Sequence, residues 1–349
     1  MLFFLSFCGE PASTSKNVKS FSKESIPESI ALLGKKYYFD QLKMPLNLII
    51  KDRYLIVGES RRIPSEFSPV HVIDHRTMEY KMAKGMIGFG PGEISDAWIL
   101  DPGSEEETFW VYSAMEKRFS EFNLNDTLAL SHNQIKQSGD FFMAVLMTWA
   151  SDSTVMCRLA NDEHQFVEFH IDGTRVREFG LWKDMLVRKD LNDFMMAQLH
   201  KGWFKGDLRN NIFVSAGIYR DRLDILNKSS GEILTINGPE NKIPEFKIVS
   251  GQGQSPGLIV DINEPYAYKD IYIGDKFLYG LYCGRTVKQM REGNETATEI
   301  YVFDKQGNIQ YEFKLDQSIS SLAVDEISRK LFGISTDEDP GIIMFDMPI

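Results

Sequence analysis

The most constraining feature of the chain is a short phrase that recurs six times: an apolar run of alternating pattern that ends in Asp or Asn and enters a turn. The copies are Val70-His71-Val72-Ile73-Asp74, Phe119-Ser120-Glu121-Phe122-Asn123, Val167-Glu168-Phe169-His170-Ile171-Asp172, Leu223-Asp224-Ile225-Leu226-Asn227, Tyr301-Val302-Phe303-Asp304 and Ile343-Met344-Phe345-Asp346. A strand-turn-strand unit of this size cannot bury its own faces. Its repetition points to units stacked on one another.

A glycine often follows the acid or amide. Phe303-Asp304-Lys305-Gln306-Gly307 shows this most cleanly, with Ile171-Asp172-Gly173 and Asn227 to Gly231 as variants. Glycine enters the left-handed region that tight hairpins demand. The Asp or Asn reads as a turn cap, bonding to backbone a few residues on, so its role is structural. Two further strands precede each phrase: residues 46–50 and 53–57 in the first unit, 321–325 and 330–335 in the last. One of the two is evident at 141–145 in the third and 211–215 in the fourth, and both at 271–274 and 276–280 in the fifth. Four strands every 40 to 50 residues or so is the arithmetic of a propeller blade. The expected fold is therefore all-β, a six-bladed β-propeller over residues 30–349. The sixth phrase runs to the last residues without an outer strand, while residues 30–39 form an orphan strand upstream. Residues 30–42 are expected to complete the last blade and close the ring, which protects edges that an open array would expose.

Two insertions interrupt the pattern. In residues 181–201, Leu181, Trp182, Met185, Leu186, Phe194, Met195 and Leu199 recur at near-helical spacing. One or two short helices are expected there, lying on a propeller face between blades three and four. Residues 239–268 carry little periodicity and read as a long loop. Gly88-Phe89-Gly90-Pro91-Gly92-Glu93 and Gly251-Gln252-Gly253-Gln254-Ser255-Pro256-Gly257 fall between blades. The first departs from a dinucleotide loop, which needs Gly-x-Gly-x-x-Gly opening a helix. Both read as connections.

Chemistry-bearing motifs are sparse. The chain has no Gly-x-Ser-x-Gly and no His-Glu-x-x-His. His71 and His75 sit four apart, but on a strand that spacing does not make the one-faced pair of a zinc site. Neither Cys157 nor Cys283 lies in a Cys-x-x-Cys pair, and spacing alone leaves a disulfide between them open. Some six-bladed propellers are calcium-dependent hydrolases or lactonases with an axial metal held by several oxygens. The candidates for such a site are Asp96, Asp207, Asn210, Asn211 and Asp325. Stacking on a sugar would need exposed aromatics, and Trp182 and Trp203, flanking the helical insertion, are the candidates. The formal charge of −11 repels phosphate backbones and argues against nucleic acid as a partner. No 18-residue apolar run exists to span a membrane.

Met1-Leu2-Phe3-Phe4-Leu5-Ser6-Phe7-Cys8 is almost wholly apolar and ends at a cysteine. It reads as the remnant of a lipoprotein signal, with Leu5-Ser6-Phe7-Cys8 resembling a lipobox and Cys8 as the lipidation site. The alternative is an apolar N-terminus of a cytoplasmic protein. Residues 9–29, rich in Ser, Lys and Glu, read as a flexible tether. The glycine phrase before a blade, the helix before blade four, the Phe-Asp-x-x-Gly hairpin and the lipobox-like start together resemble the TolB-like six-bladed propeller lipoproteins of Bacteroidetes. That resemblance covers about residues 30–349 and brings no catalytic residues with it. It implies an envelope-facing, non-catalytic propeller, held to a membrane only through Cys8, that binds a protein or a glycan. The alternatives are the calcium-dependent hydrolase and a purely structural envelope component.

Overall fold

Each repeat phrase becomes the third strand of an antiparallel meander, and the meanders together form a β-propeller. The computed structural model describes residues 17–250 and 256–349. The first three sheets span Pro45 to Lys84, Ile99 to Lys136 and Ala144 to Leu181, with four strands each. A fourth meander runs from Gly202 to Asn237 and carries a fifth strand on its edge. Apart from one two-stranded hairpin, the remaining strands form one eight-stranded sheet with Tyr266–Ile273 at one edge and Gly34–Tyr38 at the other. Its 17-residue strand Ile309–Asp325 pairs outward with Ala297–Asp304 and then, further along, with Lys330–Ser335.

The packing follows from period two. Leu55, Val57 and Ile73 of the first sheet join Ala323, Phe332 and Ile342 of the eight-stranded sheet in one apolar layer. Their neighbours Ile56, Val70 and Val72 face the other way, into a layer with Leu100, Phe109 and Val111 of the second sheet. Successive side chains of a strand point to opposite faces, so a strand buried on both faces reads as a nearly continuous apolar run. Similar layers join the second sheet to the third, the third to the fourth and the fourth to the eight-stranded sheet.

The turn acids act as expected. Asp74 Oδ1 accepts the Arg76 N–H at 3.0 Å, Asp172 Oδ1 that of Thr174 at 2.8 Å and Asn227 Oδ1 that of Ser229 at 3.0 Å. Gly307 has φ +78°, and a Cβ there would stand 2.7 Å from Leu234. Both facts favour glycine there.

Several expectations are corrected. Residues 141–143 are not strand: Gly139–Met143 is a 3₁₀ turn, and the inner strand starts at Ala144. Gly139 takes positive φ, and Phe141 turns inward to stack between Phe119 and Phe169. The orphan strand is two strands on two partners. Glu28–Leu32 pairs in parallel with Ile309–Asp325, and Gly34–Tyr38 pairs antiparallel with Gly341–Asp346. Residues 17–29 do not behave as a free tether either, because Asn17–Ser20 adds in parallel to Ile233–Asn237. Composition suggested a tether since little apolar surface is present. The order instead comes from backbone bonds to preformed sheet edges, with Phe21 and Leu32 as the buried anchors. The lipobox and all of residues 9–16 lie outside the described residues.

Residues 181–201 hold a 3₁₀ turn, Trp182–Met185, and an α-helix, Asp193–Leu199, capped by Asn192. Residues 239–268 are not a plain loop, for Phe246–Val249 and Gly257–Val260 pair as a hairpin. The hairpin packs on the helix through Leu258, Met196 and Leu199. Residues 251–255 of the second glycine phrase lie outside the described residues. A second helix, Val287–Gly293, was not anticipated, although Thr286 and Gln289 form a capping box visible as Thr-x-x-Gln. Cys157 and Cys283 lie in different sheets as free, buried thiols.

Phe21 meets Tyr301 and Phe303 edge-on, with ring centroids 5.2 and 5.3 Å away. Phe21→Ala is expected to destabilise the protein by about 3 kcal/mol, the low end for a buried phenylalanine. Urea unfolding monitored by far-UV circular dichroism checks this. An unchanged midpoint would mean that the N-terminal strap contributes nothing.

Candidate functional site

The inner strands end around a common cavity of about 990 Å³ on the propeller axis. Its wall comes from the C-terminal ends of Pro45–Lys51, Ile99–Asp101, Ala144–Trp149, Gly202–Asp207, Tyr266–Ile273 and Ile309–Asp325, with the turns that follow some of them. Strands run antiparallel within each meander, so their first turns gather at one end of the axis. Those turns are polar because they leave the apolar layers there.

Eight carboxylates line the cavity (Asp52, Asp101, Glu106, Glu107, Asp207, Asp275, Asp325 and Glu326) against three cations, Lys51, Lys205 and Arg209. Many are already engaged. Asp101 bridges two inner strands, accepting from Thr148 Oγ1 at 2.6 Å and the Trp149 N–H at 3.1 Å. Burial pushes its carboxyl above the usual range, although the Thr148, Gly103 and Trp149 donors pull the other way. Asp325 shows the opposite balance. Burial works upward on it, but Ser328 and the Ser328 and Ile327 amides outweigh burial and hold the carboxyl low. Glu326 accepts the Lys276 and Phe277 amides at 2.7 and 3.0 Å. Lys51 donates to Pro102 O at 2.6 Å, and burial lowers its ammonium's pKa. Asp52 and Asp275 stay largely solvent-exposed at the rim, where Arg76 approaches the first at 4.0 Å and Arg209 donates to the second at 2.7 Å.

Of the five residues proposed for a metal, Asp207 and Asp325 reach this cavity. Asp207 accepts the amides of Arg209 and Asn210 and the Asn210 side chain at 2.6 Å, so Asn210 closes the turn. Asn211 follows at φ +53° as a left-handed turn residue. Asp96 lies elsewhere, clasping the amides of Ala114 and Met115. Among the described residues no three His, Cys, Asp or Glu side chains converge closely enough to hold a metal ion. His75 edges towards Asp325 at 3.9 Å, whereas His71 turns away to Tyr80.

The proposed aromatic platform does not form. Trp182 is 1% exposed, stacked on His200 beneath the helix. Trp203 is half-buried, its indole N–H donating to Tyr268 O at 2.9 Å and Lys269 lying over its ring. Helical spacing marked the right segment, but the apolar residues there serve the cap's own core. Exposed aromatics among the described residues include Trp98, Phe142 and Tyr38, together with Phe89, at 70%, on the first glycine phrase. That phrase is closed on itself by Glu93, which accepts the Gly90 N–H at 2.8 Å. Sequence reasoning missed Asp52, Asp101, Glu106, Glu107, Asp275 and Glu326. The available signal was an acid in or near most of the turns after an inner strand.

Meanders arranged about an axial cavity define the class as a β-propeller. The chain belongs to the family described as TolB-like 6-blade propeller-like, whose model matches residues 20–327. Among solved structures it is similar to a member of the DUF4221 family from Bacteroides vulgatus, at 11% identity and a TM-score of 0.54, covering 90% of this chain and 98% of that one. A protein from Bacteroides fragilis classed as exported gives 11% identity and a TM-score of 0.56, covering 95% and 99%. The RRP9 WD40 repeats give 8% identity and a TM-score of 0.51, covering 90% and 97%. These likenesses show the fold. No curated protein matches the chain by sequence.

The raised carboxyl of Asp101 fixes a sign. An acid whose folded pKa exceeds its unfolded value of about 3.9 costs stability as pH rises through the window between the two. Asp101→Asn removes that titration. The stability of the variant relative to the parent is therefore expected to increase from about pH 4 upward, by on the order of 1 kcal/mol across each pH unit of that window. Urea midpoints measured at closely spaced pH values check this. A constant difference between the two proteins would show that Asp101 does not titrate on folding.

Proposed function

We propose that this chain is a non-catalytic, cell-envelope binding protein, a six-bladed propeller closed by Gly34–Tyr38, whose axial cavity receives a basic group of a protein partner. The observation that carries the reading is the cavity itself, with eight carboxylates against three cations. A low-dielectric cleft lined by one sign of charge focuses its field and favours a ligand of the opposite sign.

Six blades follow if the eight-stranded sheet counts as two, with Ile309–Asp325 serving as the outer strand of one and the inner strand of the next. The apolar layer between the first sheet and that sheet supports closure. A glycan partner is less favoured because Trp182 is enclosed and Trp203 is held under Lys269. The envelope location draws on the exported Bacteroides fragilis neighbour, the family, and the lipobox at Cys8. No helix among the described residues is long and apolar enough to cross a membrane.

Basic peptide arrays are expected to bind, and to release as salt rises. Asp52→Ser with Asp275→Ser removes two exposed rim charges and is expected to weaken binding about tenfold, each rim charge contributing under ~1 kcal/mol. Binding insensitive to both salt and substitution, or hits on glycan arrays alone, would overturn the basic-partner reading. The calcium-dependent hydrolase reading retains Asp207, Asp325 and their neighbours in one cavity. Thermal unfolding with excess calcium and then chelator discriminates, because a native-state ligand stabilises by mass action. No reversible shift is expected. A rise of several degrees that chelator abolishes would return the enzyme reading.

A further inference from the structure

At the other end of the inner strands, beneath the helix and hairpin, the buried guanidiniums of Arg158 and Arg220 lie near the partly buried one of Arg222. Arg222 is matched: it grips Asp224 in a two-pronged pair with contacts of 2.7 to 3.0 Å, while Thr235 bonds both partners. Arg158 and Arg220 are not matched. Arg158, 6% exposed, donates to Ser215 Oγ and to the His200 carbonyl at 3.1 Å, both neutral. Arg220, 8% exposed, reaches His200 Nε2 at 3.4 Å, and its Nε has no acceptor. Among the described residues neither has a carboxylate in ion-pairing contact: Asp224, already gripped by Arg222, acts on both only from a greater distance, as Asp221 does on Arg220. Asp221 adjoins Arg220 in sequence, but one of its oxygens is occupied by the amides of Glu240 and Asn241.

Burying a cation without a counter-charge is strongly unfavourable, and a guanidinium does not shed its proton to escape. His200 adds no negative charge. Burial, reinforced by Arg220 and Arg222, holds its imidazole well below the usual range and keeps it neutral. A third donor points the same way. Trp182 stacks on His200 at 5.5 Å with Arg158 over its ring at 5.4 Å, and its buried indole N–H has no acceptor. Two guanidiniums and an orphan N–H thus gather around one neutral imidazole. Planar guanidiniums with unfilled donors are suited to halides and carboxylates.

We propose that Arg158, Arg220 and the Trp182 indole bind a small monovalent anion, a halide or a carboxylate, between the propeller and its helical cap. The anion would neutralise the buried charge and fasten the cap. This site stands apart from the axial cavity and does not depend on it.

The test is thermal unfolding of the full chain against sodium chloride and, separately, sodium acetate. Ionic strength is held constant with the bulky sodium salt of MES. A saturable rise of several degrees is expected with at least one anion, following the mass-action form for a native-state ligand. A rise with chloride alone identifies a halide site, and one with acetate alone a carboxylate site. Arg220→Met, which keeps the volume and removes the charge, is expected to abolish the rise. No rise with either anion, or a rise that survives Arg220→Met, would overturn the proposal. Should that variant not fold, crystals of the unaltered protein soaked in bromide and in acetate provide the second measurement. Anion density beside Arg158 and Arg220 supports the site, and its absence in both soaks refutes it.

Discussion

The architecture depends on the fact that each meander is apolar on both faces. Leu55 and Ile56 are adjacent in sequence, yet they belong to different layers shared with different sheets. A sheet with two apolar faces needs two neighbours, and the same demand passes around the axis. Polar links reinforce the layers where inner strands approach. Asp101 takes Thr148 and Trp149, and Asp270 takes Ser321 Oγ at 2.5 Å and the Leu322 amide at 3.1 Å in the equivalent arrangement. The repeated clasp ties the inner strand of one unit to that of the next without apolar surface. In the first of these clasps the carboxylate, Asp101, also lines the axial cavity.

The two ends of the propeller carry opposite electrostatic characters. Turns leaving the inner strands supply acids, some spent on capping and others open at the rim. The far end, under the helix and hairpin, concentrates arginines around His200. Segregation of this kind comes from topology: the connections on the two sides are of different length and serve different purposes. Short turns select Asp and Asn for their backbone bonds, whereas the long insertion brings its own apolar core and buries what lies beneath it.

The N-terminal residues extend the same logic. Asn17–Ser20 and Glu28–Leu32 add parallel strands to the outer edges of two meanders, and Gly34–Tyr38 supplies the outer strand that the last phrase lacks. Three consecutive edges are thereby covered by one continuous segment. Its polar composition suits an edge strand, which needs backbone partners more than buried side chains.

The repeat phrases alone determined that the chain is a propeller, where the third strand of each meander falls and what the turn acids do, because period-two burial and turn chemistry are local. Gly307 and Asp304 could be read correctly without any knowledge of their neighbours. Local pattern could not decide which side chains meet across the axis. Asp207 and Asp325 look no different in sequence from Asp96, yet only the first two reach the cavity. Trp182 sits in a segment that reads as a surface helix, but the paired strands Phe246–Val249 and Gly257–Val260 cover that face. These strands were hidden in a stretch without periodicity. Arg158 meets His200 and Ser215, 42 and 57 positions away, and finds no carboxylate there, while Arg222 takes Asp224 for itself. Only the tertiary structure decides such contacts, since a charge's partner is set by folded distance and not by sequence spacing.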